Sequence, residues 1–164
     1  MAQSTEDGQK RKRCIFSILN TNVTSMEFEI NYLAVFLASV SALIVGSLWY
    51  AKFAFGKSWM KMINLTEEKA KEKMLPAVAG MFVLSLVMGY MLSHVTYMSM
   101  NVFGYSAQMA GISSAFMMWV GFVLPVLGGT GLFEQQPKKL MLINLGNWLV
   151  TLLAMGAIIG FFGF

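Results

Sequence analysis

Charge is scarce in this chain, and thiol and imidazole are scarcer. Twenty of the 164 residues are Asp, Glu, Lys or Arg, and there is a single Cys (Cys14) and a single His (His94). Soluble domains carry about 25% charged residues; the 12% here cannot coat a globule of this length. One Cys excludes a disulfide framework. No Ser/His/Asp set, HExxH, CxxC or pair of carboxylates within an apolar run is present, so the chain reads as a non-enzyme without a cofactor. What it has instead is apolar: 57% hydrophobic residues, 15 Met, 13 Phe, 4 Trp and a mean hydropathy of +0.62. A disordered chain is excluded by the same figures.

The missing charge is organised. No Asp, Glu, Lys or Arg occurs from Ile30 to Ala51, from Met74 to Phe133, or from Leu140 to Phe164. A helix needs about 20 apolar residues to cross roughly 30 Å of hydrocarbon. The first and last gaps therefore hold one span each, and the middle one holds two with a hairpin placed at Thr96 to Gln108. No segment alternates like a barrel strand, so backbone satisfaction in lipid requires helices. The expected fold is an all-α integral membrane protein, a compact bundle of four transmembrane helices near 30–51, 77–97, 107–129 and 141–162. A short interfacial helix is expected between the first two spans, where Phe53, Phe55, Trp59, Met60 and Ile63 mix with Lys52, Lys57 and Lys61. Thr66, followed by Glu67 and Glu68, reads as a helix N-cap, and Pro76 suits the first turn of the second span.

Residues 1–25 differ from the rest and form a polar, partly basic extension ahead of the membrane domain at 26–164. Cys14 beside the basic run at 10–13 reads as a free thiol of no special role, and as a lipidation site only if that end is cytoplasmic. Sequons at Asn22 and Asn64 carry little weight. Lys52, Lys57, Lys61, Lys69, Lys71, Lys73, Lys138 and Lys139 all lie in the first and third loops. The positive-inside rule therefore puts loops 52–76 and 130–140 in the cytoplasm and both termini opposite. This asymmetry accounts for the basic balance, and no nucleic-acid partner is implied.

A local signature runs through Gly46, Trp49, Tyr50, Gly56 and Trp59, preceded by Asn31 and followed by Phe133, Glu134 and Asn144. In order and spacing it resembles a bacterial family of four-span membrane proteins catalogued as domain of unknown function 1761. The resemblance implies a single four-span domain over about residues 30–164 and brings no substrate.

The first span places Ala34, Ala38, Ala42 and Gly46 in one stripe, and the last carries Gly156 and Gly160 in a GxxxG. Such stripes let helix backbones approach closely. Intrachain packing is the favoured reading, with a homo-oligomer interface as the other. Asn144, Asn147 and Thr151 share a face of the last span, as interhelical hydrogen-bonding groups or as the lining of a polar path. Met91 and His94, with Met81, Met88 and Met98, make a weak soft-metal set suited to Cu(I), and adaptable core filling is the better account. Glu134 closes the long uncharged stretch, as a carboxylate solvated or paired with Lys138 or Lys139, or as a functional group grouped with the polar path. The Gly128-Gly129-Thr130-Gly131 run before it suits a hinge, a close approach or a broken helix end. Functionally, an oligomeric channel or transporter for a small solute or ion ranks first. The alternative is a non-catalytic assembly subunit packing on other membrane proteins, lipid or pigment. The expected partners are the lipid bilayer and either copies of the chain or other membrane proteins.

Overall fold

The computed structural model describes residues 30–164. The extension at 1–25, with Cys14, the basic run and the Asn22 sequon, lies outside the described residues. Helix α1 is Tyr32–Trp49, α2 is Gly56–Met62 and α3 is Glu67–Phe103. The third span comprises α4 (Ala107–Met118), a π-helical turn (Trp119–Val123) and α5 (Leu124–Phe133), and α6 is Lys138–Phe162. No strand occurs among the described residues. Four helices, of 18, 37, 27 and 25 residues, are long and apolar enough to cross a membrane. The protein is thus an all-helical, multi-pass bundle, and short α2 stands between its first two spans.

Helix α6 is the hub. It packs along α4 on one side and α1 on another, while α3 bridges α1 and α4. The core is built from small or flexible groups: Ala38, Ala42 and Ala115 with Leu92, Leu152, Met155 and Ile159. Hydrocarbon gives apolar helices no drive to pair, so cohesion depends on close van der Waals contact and interhelical hydrogen bonds. Gly111 of α4 meets Gly156 of α6 so closely that a Cβ on either would collide with the other's carbonyl. A Cβ on Gly160 would lie 2.7 Å from the Ala107 carbonyl.

Several boundaries differ from the sequence expectation. The hairpin at Thr96 to Gln108 shrinks to the three residues between Phe103 and Ala107. Its polar side chains bond within their own helix, Thr96 Oγ1 to the Leu92 carbonyl (2.8 Å) and Asn101 Nδ2 to the Tyr97 carbonyl (2.8 Å), so they do not break it. Gly104, at φ 66°, supplies the left-handed cap that ends it. Pro76 does not open the second span: α3 begins at the Thr66 cap and runs through the proline. Residues 71–80 are exposed, so the Glu72 carbonyl that loses its partner faces outward rather than into the bundle. The Gly128–Gly131 run is not a broken end either, since α5 is continuous to Phe133. The irregularity lies earlier, in the π turn that the Leu124 N–H closes onto the Trp119 carbonyl. Pro125, which lacks the N–H for Gly121, accounts for its position. Gly131 is instead a close-approach point, where a Cβ would lie 2.9 Å from Met141 Sδ. The last loop narrows from 130–140 to residues 134–137.

Candidate functional site

Helix α1 ends in Trp49 and Tyr50, and the chain then folds back to α2 beneath them. This reversal requires Gly56, where any Cβ would run into the Tyr50 carbonyl. Trp49 packs at a tilt against Phe55 (centroids 4.9 Å apart) and Tyr50 against Trp59 (5.0 Å), so two aromatic pairs hold α2 to the bundle. Trp49 also donates its indole N–H to the Ile143 carbonyl (3.1 Å), its ring lying against Gly146. Tyr50 donates to Asn144 Oδ1 (3.1 Å). From the other side of α6, Trp119 in the π turn donates to the Leu145 carbonyl (3.0 Å). Two indoles therefore grip α6 on either side of Asn144, each using a carbonyl lone pair that the helix ladder leaves spare.

Asn144 opens a polar file that leads into the bundle. Asn147 and Thr151 follow it on α6, both buried, over about 10 Å of helix. Asn144 is satisfied by Tyr50, but Asn147 Oδ1 and Thr151 Oγ1 have no hydrogen-bond partner, and neither does Ser114 Oγ on α4. Other buried hydroxyls are treated differently. Ser39, Ser85, Ser93 and Thr96 each donate to the carbonyl four residues back, at 2.8–3.0 Å. An unpaired polar group in a dry core costs about 1–3 kcal/mol, so the exceptions call for an explanation. Asn31 joined to Phe162, and Tyr50 to Asn144, fix α1 antiparallel to α6. That register sets Asn147 level with Gly46, where a Cβ would meet nothing within 4 Å. One and two turns beyond Thr151, Met155 and Ile159 are fully buried. The polar file stops there, with apolar packing beyond Thr151 and the Tyr50–Asn144 bond at its α2 end.

The remaining sequence-predicted residues lie elsewhere. Ala34, Ala38 and Ala42 are buried as one stripe, while Gly46, fourth in the series, has rotated away from close contact. Gly156 and Gly160 pack inside the chain against α4. Asn31 caps α1, accepting from the Leu33 and Ala34 N–H groups, and donates to the Phe162 carbonyl at 2.7 Å. It thus ties together the ends of α1 and α6 far from the aromatic clamp. Glu134 is exposed and accepts from Gln136 Nε2 (2.6 Å) rather than from a lysine, and Phe133 beside it is exposed. Met91, Met98 and Met81 are exposed on α3, and His94 Nδ1 lies 3.0 Å from the Tyr90 carbonyl. No group of three or more His, Cys, Asp or Glu able to hold a metal occurs among the described residues.

Ser114 and Trp119 were the residues that sequence reasoning missed. Ser114 stands beside Ser113, and nothing in the sequence tells which of them faces inward. Trp119 resembles any lipid-facing aromatic until the register of α4 on α6 is known. No curated protein and no solved structure matches this chain. A family described as proteins of unknown function, DUF1761, matches residues 33–160, which covers the clamp, the polar file and all four spans. The chain belongs to the DUF1761 family of multi-pass membrane proteins.

Proposed function

We propose that this protein carries a small solute or ion through the membrane, binding it in the polar file of α6 from the α2 end. One observation carries the reading: Asn147 Oδ1 and Thr151 Oγ1 are buried and unpartnered while neighbouring hydroxyls are satisfied. Groups aimed into a core without a partner suit a guest that supplies the missing hydrogen bonds. Because Met155 and Ile159 close the far side, a transporter that alternates its access fits better than a standing pore. The lysines of the α2 side favour placing that end in the cytoplasm.

Flux of small solutes into liposomes holding the purified chain tests this. Asn147→Leu should abolish the flux, while the fold, followed by thermal unfolding, survives. Absence of flux for every solute tried, or equal flux through the variant, overturns the proposal. A second reading, an assembly subunit, draws on Gly80, Gly121, Gly128 and Gly129, where an added Cβ meets nothing within 4 Å. These leave room for foreign helices. A gently solubilised assembly with stoichiometric foreign subunits supports this alternative; a homomeric one counts against it.

A further inference from the structure

Helix α1 is 18 residues long, about 27 Å, close to the thickness of the hydrocarbon layer. Its end at Trp49 therefore marks the membrane boundary, and the turn and α2 that follow stand at headgroup level. They are not free to swing away, because Gly56 is pressed on the Tyr50 carbonyl and Trp59 on the Tyr50 ring. On this fixed platform Phe53 is 83% exposed, and Phe55 and Ile63 are also exposed. Lys57 and Lys61, four apart on α2, are exposed as well.

Among the described residues neither Lys57 nor Lys61 forms an ion pair, although the Lys57 charge also acts on Glu67. Glu67 is bridged by Lys52 at 2.7 Å, the single ion pair among the described residues. Glu68 and Glu72 alternate with Lys69, Lys71 and Lys73 along the first turns of α3. The surplus positive charge is thus concentrated on α2, beside apolar side chains of a depth that reaches acyl chains.

We infer that the α2 platform binds the headgroups of anionic glycerophospholipids, with Lys57 and Lys61 on the phosphates and Phe53 among the upper acyl carbons. Such a site is independent of any solute path and selects lipid by charge. A lysine near an anionic surface contributes about fivefold in affinity.

The test uses the full chain in phosphatidylcholine vesicles with trace spin-labelled phosphatidylglycerol or spin-labelled phosphatidylcholine. The readout is the fraction of each probe held immobile by the protein. Wild type should prefer phosphatidylglycerol, and Lys57→Gln with Lys61→Gln should remove most of that preference, about fivefold for each lysine. Lys69→Gln with Lys71→Gln should leave it in place. Raising the salt from about 0.01 to 1 M, which shortens the screening length from about 30 to 3 Å, should erase the preference in wild type without any substitution. Equal retention of both probes by wild type overturns the inference. So does a preference that survives the α2 substitutions or high salt, or one lost equally with Lys69 and Lys71.

Discussion

Gly156→Ala is the most direct probe of what holds this bundle together. The new methyl would meet the Gly111 carbonyl and would lie 2.7 Å from the Ala115 Cβ. Carbon atoms rest at about 3.5–4.0 Å, so α4 must retreat from α6 by about 1 Å. Neither obstacle is the end of a flexible side chain, and a backbone carbonyl cannot turn aside. Overpacking of this kind costs about 1–3 kcal/mol. The helix-propensity gain of replacing Gly with Ala returns up to about 1 kcal/mol. Gly80→Ala makes the same chemical change where the methyl meets nothing within 4 Å, so it should collect the gain alone. Thermal unfolding in detergent, followed by tryptophan fluorescence, should place Gly156→Ala below wild type by up to about 12 °C and Gly80→Ala at or above it. The mass of the solubilised protein should be the same for both, since the contact lies within one chain. Gly46→Ala should behave like Gly80→Ala despite its place in the alanine stripe. Gly156→Ala melting at or above wild type, or Gly46→Ala falling as far, would refute the packing argument.

Tyr50→Phe removes the hydroxyl bonded to Asn144 and should lower stability by about 0.5–1.5 kcal/mol, with the Trp59 emission little changed because the ring contact remains. Gly56→Ala should do the opposite to the spectrum: α2 is forced off the Tyr50 carbonyl, and Trp59 emission shifts to the red while the four spans stay folded. The hydrogen bond and charge of Lys52 hold the Glu67 carboxyl below its ordinary range. A depressed carboxylate favours the folded state above its unfolded pKa, and that contribution is lost as pH falls through the folded value. Lys52→Gln should therefore move the Glu67 titration, read by carbon NMR, up toward the ordinary carboxylate range; an unmoved titration counts against the ion pair.

The spans were legible because hydrocarbon imposes a length and forbids charge, and both constraints act on consecutive residues. The cap at Thr66 was legible for the same local reason. Polar residues were weaker guides to boundaries. Asn101 looks like a breaker in a list of letters, yet a helix can satisfy it on its own carbonyl, and it does. Pro76 looked like a start, but in an exposed stretch a helix tolerates the lost bond. At the candidate site, Asn144, Asn147 and Thr151 could be set on one face from their spacing. Their different situations, one paired to Tyr50 and two unpaired, depend on α1 arriving at that level. Trp49 and Trp119 show the limit most clearly, since each bonds to a backbone carbonyl and no sequence pattern marks a carbonyl as a partner.

The unequal lengths of α1 and α3 bear on the lipid around the protein. The uncharged part of α3, from Met74 to Phe103, measures about 45 Å, against about 27 Å for α1. No flat bilayer with a core of about 30 Å matches both when both stand upright. Either α3 leans steeply, or the leaflets swell beside it while they thin beside α1. In the second case the circumference of the molecule offers a thick and a thin side at once. A body of that shape would rest at lowest cost where membrane thickness changes, its position then set by helix length as well as by any partner.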